Sequence, residues 1–186
     1  MSGRYKIIRE CKVAEVLRHF ICMEADRPKY ADMRHKMLGW LKLSDRRLIR
    51  KVRKFEKTRD DDNPTLGWTI GTRANSNYRG VSHWVLASIS LADLYTCGIN
   101  PKMKGDLDSV NGNLKRFVDA GYATKYPEFR LDSIPSEGKA RTLIGIARSE
   151  SNRDGNIELI DGAHRVVPML ANGIMSSDAY IGELHG

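Results

Sequence analysis

The spacing of apolar positions changes along the chain. In the first sixty residues they recur every three to four positions. Val13, Val16, Leu17 and Phe20, extended by Ile21 and Met23, predict an amphipathic helix over 8–23. Pro28 interrupts it. Met33, Met37, Leu38, Trp40 and Leu41 predict a second helical stretch from about Lys29 to Leu43. Ser44-Asp45 is a start signal, because a Ser oxygen accepts an orphan helix N–H. Leu48, Val52 and Phe55 then form one stripe of a third helix over 45–57. Beyond residue 80 the period shortens. Trp84–Leu94, Thr142–Ala147, Ile157–Asp161 and Ala179–Leu184 read as strands, and a short helix ends at Asn172-Gly173.

The expected class is therefore α/β (α+β). A small mixed sheet with helices occupies 61–186, and a basic helical N-terminal extension occupies 1–60. The polar run 58–64 is the expected boundary. After it, 67–80 is rich in Gly, Asn and Thr and carries Trp68, Arg73, Tyr78 and Arg79. Those rings and guanidinium groups suit stacking on bases or on an adenine. Equally, Trp68 and Trp84 can pack the core from adjacent strands. There are no internal repeats.

Charge sharpens the division. The net charge is +8. Residues 1–60 hold 18 Lys/Arg and 8 Asp/Glu, a balance of +10, and the remainder holds 13 against 15, a balance of −2. The cations of the third helix cover the surface off its apolar stripe: Arg46, Arg47, Arg50, Lys51, Arg53, Lys54 and Lys57. So many like charges on one rod repel, and an acidic partner relieves that repulsion. DNA phosphate is the expected one, contacted without sequence reading. The competing reading is a solvated helix face. A helix-turn-helix is not indicated, since no tight Gly turn sits between two helices at the needed place.

No segment has the apolar length to span a bilayer, and no apolar run follows the N-terminus, so the expected compartment is the cytoplasm. Cys11, Cys22 and Cys97 are odd in number and lack CxxC spacing, so reduced, buried thiols are expected rather than disulfides or a zinc site. His19, His35, His83 and His185 show no ligand spacing.

The richest stretch for chemistry is 157–165. The strand Ile157–Asp161 runs into Asp161-Gly162-Ala163-His164-Arg165, and an apolar helix follows at once. A strand, a tight turn and a helix start make an anion site from backbone N–H groups and the helix dipole. Gly162 removes a Cβ from the approach, and His164 and Arg165 add donors suited to phosphate. Asp-Gly is also a common plain turn. There is no Walker A run, no Rossmann glycine fingerprint and no Gly-x-Ser-x-Gly.

In this order, Asp161-Gly-Ala-His-Arg165 resembles the ParB/sulfiredoxin superfamily, whose members hold nucleotide phosphate on a Gly-x-His-Arg or Gly-x-x-Arg box at a helix start. Trp84–Leu94 is similar to the family's first strand with its I-x-x-x-D-L exit. Ile99-Asn-Pro-Lys102 is similar to the N-P-R that follows in ParB proteins, and Leu107–Gly121 fits the next helix. The resemblance covers about residues 84–186. Ala163 stands where sulfiredoxins carry their nucleophilic Cys, which argues against that chemistry. The chain stops about twenty residues past the box, without the later domains of chromosome-partitioning ParB. The family's free-serine kinases carry a Glu just after the first strand; Asp106 and Asp108 are the nearest acids here. Small plasmid-borne fertility-inhibition and oncogenic-suppression members look most similar. For them the resemblance implies ATP hydrolysis, DNA cleavage and interference with conjugative or T-DNA transfer.

If ATP phosphates sit on this turn, N–H groups after Gly162, including that of Ala163, hold them and Arg165 neutralises developing charge. His164 donates or acts as acid or base. Asp161 either holds Mg²⁺ with the phosphates or only caps the helix. Glu158 is a weaker catalytic candidate. Arg148, Lys102 and Lys104 complete the expected phosphate-binding set. Expected partners are nucleotide, DNA and a conjugation or secretion component, with no membrane. Two other readings share the box: a small-molecule (amino-acid) kinase, and a non-catalytic DNA-binding module.

Overall fold

The computed structural model describes residues 5–25, 28–58, 81–96, 101–138, 141–147 and 157–184. Along these residues the strands are β1 (Tyr5–Cys11), β2 (Val81–Ser90), β3 (Leu94–Tyr95), β4 (Leu143–Ala147), β5 (Ile157–Asp161) and β6 (Ser176–Leu184). The helices are α1 (Val13–Glu24), α2 (Arg34–Trp40), α3 (Asp45–Thr58), α4 (Lys104–Ser109), α5 (Leu114–Asp119) and α6 (Ala163–Ala171). The fold is α/β. The six strands form one mixed sheet in the order β1-β2-β6-β4-β5-β3. Neighbours β6/β4 and β5/β3 are parallel, and the other pairs are antiparallel.

Alternation along the strands feeds two cores. Val85, Ala87, Ile89, Leu143, Ile157, Leu159, Ala179 and Ile181 join Leu114, Phe117, Phe129 and the apolar residues of α6 in one core. Trp84 and Ile144 join Val16, Leu17, Phe20 and Ile21 of α1, with Met37, Trp40, Leu48 and Val52, in the other. The sheet therefore lies between an N-terminal layer, α1–α3, and a C-terminal layer, α4–α6.

The N-terminal segment differs from its expected helical form. Residues 5–11 are an edge strand paired with β2, and the helix begins only at Val13. The apolar spacing that predicts a helix lies almost wholly at and beyond Val13, while Ile7-Ile8 fits an extended edge equally well. The register slips between Ile7 and Arg9, a bulge that puts Arg9 opposite Leu86 and Cys11 opposite Trp84. The second helical stretch is a 3₁₀ turn, Pro28–Met33, followed by the short α2. The third helix matches its expected span. The single helix expected over 107–121 is two, α4 and α5. Asn111 (φ 55°) and Gly112 (φ 73°) break it, and a Cβ on Gly112 would come within 2.6 Å of the Thr96 carbonyl oxygen. The end of α6 is as read: Gly173 is left-handed at φ 75°, and Ile174 N–H returns to the Met169 carbonyl.

Two thiols depart from expectation. Cys11 is half-buried and Cys22 is exposed; both are free. Burial first, then Glu15, pushes the Cys11 thiol up, which disfavours its thiolate. Trp84 packs the core, as one of its two readings held. Residues 59–80, Cys97, Asn100, Arg148 and His185 lie outside the described residues, and with them Trp68, Arg73, Tyr78 and Arg79. None of the described helices is long and apolar enough to cross a membrane.

Candidate functional site

The β5–turn–α6 arrangement is present. Gly162 stands at the head of α6 with φ 116°, a conformation open to glycine and strained for other residues. Its carbonyl accepts from the Arg165 and Val166 N–H groups at 2.8 and 2.9 Å, so the first turn is wound tightly. Ala163 and His164 open the helix, where N–H groups have no carbonyl one turn back. β3 runs parallel to β5 but pairs with its start, Leu94 opposite Ile157 and Tyr95 opposite Glu158, and ends before β5 reaches Asp161 and the turn.

The charged residues of the box do not all face the same way. His164 is exposed, with its ring 5.4 Å from that of Phe129. Arg165 turns inward. Its Nη2 donates to Asp161 Oδ2 at 2.5 Å and its Nη1 to the Thr142 carbonyl at 2.9 Å. The two side chains are only 11 and 6 % exposed. The absent Cβ of Gly162 serves this interior, not an incoming ligand: added there, it would meet Leu143 Cδ2 at 2.5 Å and Arg165 Nη2 at 3.2 Å. The sequence reading of Arg165 as charge neutraliser and of Asp161 as Mg²⁺ ligand or cap therefore changes. Each holds the other, and a buried pair of this kind is a structural element. Among the described residues no three His, Cys, Asp or Glu side chains converge as a metal cage.

A bulge explains the placement of Asp161. The β4–β5 register slips between Ile144 and Gly145, so Asp161 stands opposite Ile144, a residue of the N-terminal core. Periodicity alone gives no sign of that extra residue. Glu158 is buried at 4 % exposure, and its Oε2 accepts a long hydrogen bond, 3.4 Å, from Tyr95. It is not on the solvent side of the turn. Lys102 and Lys104 are exposed on the segment leaving β3. Tyr126 links that segment to the box: its hydroxyl donates to Asp106 at 3.0 Å and lies 3.4 Å from the Lys102 carbonyl oxygen, and its ring meets Phe129, the neighbour of His164. Asp106 is held below the usual carboxylate range, first by Lys125, so it is not free to act as an acid near neutrality.

No family model, curated protein or solved structure matches the chain. Its chemistry rests on geometry.

The second candidate surface is α3. Leu48 and Val52 are fully buried, while Arg46, Arg47, Arg50, Lys51 and Lys54 are exposed on the opposite arc. The helix is held from below: Arg18 of α1 donates to Asp45 at 2.8 Å and to the Leu43 carbonyl at 2.7 Å. Arg53 and Lys57 lie on the same helix, with side chains outside the described set.

One group of residues was missed in the sequence. His19, Glu15 and Tyr180 form a polar seam between α1 and the sheet. Glu15 pairs with Arg9 and accepts from the Tyr180 hydroxyl at 3.1 Å. Hydrogen bonding from Arg9 holds Glu15 below its ordinary value; burial, then Glu15, pushes Tyr180 up to about 12. His19 lies at helical spacing beside Glu15 and on the same helix face as Val16, which was the available signal.

Proposed function

We propose that this protein binds the phosphates of ATP at the β5–α6 turn and duplex DNA on α3, in the manner of the small plasmid-borne ParB/sulfiredoxin-like proteins it resembles. ATP hydrolysis and DNA cleavage follow from that resemblance, as does a role in suppressing the transfer of another element's DNA. One observation carries the nucleotide reading: α6 opens directly off the carboxyl end of β5 through the left-handed Gly162, with His164 exposed in its first turn. The phosphate contacts then fall to the opening N–H groups and to His164, with Lys102 and Lys104 as further cations. Arg165 and Asp161 hold the turn in shape. His164 is the residue placed to give or take a proton at the phosphate, since imidazole titrates near neutrality. For DNA, the cationic arc of α3 supports contact with phosphates alone, hence affinity without sequence preference.

A heat-shift series with ATP, ADP and CTP tests the site. At one hundred times Kd a nucleotide raises the melting temperature by roughly 5–10 °C for a chain of this size. His164→Ala is expected to remove most of that shift and of any ATPase or plasmid-nicking activity, with little change in the unliganded melting temperature. Unshifted melting with every nucleotide overturns the reading. A second reading, DNA binding without turnover, is favoured by the inward turn of Arg165. It predicts salt-sensitive DNA binding with no release of phosphate.

A further inference from the structure

We propose that His19, on α1 in the N-terminal layer, is a positioning residue for the β5–α6 turn. It fixes the Thr142 carbonyl, the carbonyl fixes Arg165, and Arg165 fixes the first turn of α6. The inference rests on the phosphate-site reading of that turn.

His19 is 8 % exposed, and its Nε2 lies 3.0 Å from the Thr142 carbonyl oxygen. A carbonyl only accepts, so Nε2 carries the hydrogen. Arg165 Nη1 donates to the same oxygen at 2.9 Å. A carbonyl oxygen has two lone pairs, and here one donor comes from each layer of the fold. Thr142 immediately precedes β4, so this oxygen sits at the rim of the sheet. The other end of the guanidinium is tied to Asp161. Because the group is planar, holding it at two nitrogens fixes its plane. That plane packs on Gly162, where a Cβ would meet Nη2 at 3.2 Å and Nε at 3.4 Å. Gly162 in turn supplies the carbonyl that starts α6. The imidazole is itself walled by Tyr180, whose ring lies 5.2 Å away and whose hydroxyl is held by Glu15. A chain of direct contacts thus runs from α1 to the residue that sets where Ala163 and His164 point their N–H groups. Through His19, α1 is tied to the site.

The test uses the full chain with His19→Leu and His19→Gln. The glutamine amide nitrogen reaches about where Nε2 sits; leucine has no donor. Two readouts are taken: the Arg165 Nε–Hε resonance in ¹⁵N-labelled protein, assigned by its loss in Arg165→Lys, and the ATP dissociation constant. His19→Leu is expected to move or broaden that resonance and to weaken ATP about five- to tenfold, the scale of one buried hydrogen bond. His19→Gln is expected to restore the resonance and to bring affinity back to within about twofold. If His19→Leu does not fold, His19→Asn, whose amide falls short of the carbonyl, takes its place with the same expectation. An unmoved Arg165 resonance, or equal effects of the donor and non-donor variants, overturns the proposal. If the wild type binds no ATP, the phosphate-site reading falls while the resonance comparison still decides the positioning role.

Discussion

The two helical layers use arginine in opposite ways. On α3, Arg46, Arg47 and Arg50 stand on the arc opposite Leu48 and Val52 and face solvent. On α6, Arg165 lies in the first turn, just before the fully buried Val166 and Val167, and it turns back to Asp161 and the Thr142 carbonyl. A cation on a helix is therefore not yet a ligand contact. What decides is whether an acceptor lies within reach inside. The outer arc of α3 faces water, whereas the rim of the sheet at α6 offers Arg165 two acceptors.

The largest expected effect separates these fates. Arg165→Ala removes one half of a buried ion pair with Asp161, which lowers stability by about 3–5 kcal/mol. Urea unfolding measures it; an unchanged midpoint would mean that Arg165 faces solvent like its α3 counterparts. Next, Gly162→Ala meets both a strained φ and the Leu143 side chain, and is expected to cost about 1–3 kcal/mol in the same assay. The contrasting layer should respond in binding rather than in folding. Arg46→Ala with Arg50→Ala is expected to leave stability within about 0.5 kcal/mol. It should flatten the slope of log affinity for DNA against log salt by about 0.9 for each phosphate that is no longer neutralised. A slope equal to that of the wild type removes α3 from the DNA surface.

The smallest effects lie in the seam between the layers. The folded pKa of Glu15 is depressed, so its contribution is present above the ordinary value of 4.5 and is lost as pH falls through the folded value. Its pair with Arg9 is partly exposed, so Glu15→Gln should remove that acid-side dependence with a change of only about 0.2–1 kcal/mol at neutral pH. Tyr180 works in the other direction. Its folded pKa is raised from 10 to about 12, so its contribution is complete below 10 and is lost as pH rises through 12. Phenolate absorbance during an alkaline titration should show Tyr180 ionising late, and Tyr180→Phe should reduce that late absorbance by one tyrosine.

Much of the fold was legible locally. The stripe Leu48-Val52 marked α3 and its outer arc together, because 3.6-residue periodicity fixes which residues share a side. Ile157–Asp161 followed by Gly162 announced strand, turn and helix, since only glycine sits comfortably at φ 116°. The site was legible less far. Its backbone frame of strand, glycine turn and helix agrees with the sequence reading, whereas the partners of Arg165, the buried place of Glu158 and the part played by His19 do not follow from it. Ile8 and Ile160 are the extra residues of two bulges, and nothing in their neighbours' polarity marks a slipped register.

The chain's own order of residues thus determined where most of its helices and strands lie, where its positive charge accumulates, and that a glycine turn heads α6. Only the folded molecule decided that residues 5–11 close one edge of the sheet, that Asn111-Gly112 divides α4 from α5, and that Arg165 meets Asp161 and Thr142 inside. Periodicity reports a side chain's direction relative to its own helix or strand. Its partner is set by whichever distant segment arrives on that side, and Thr142, 123 residues from His19, is known only once the sheet has formed.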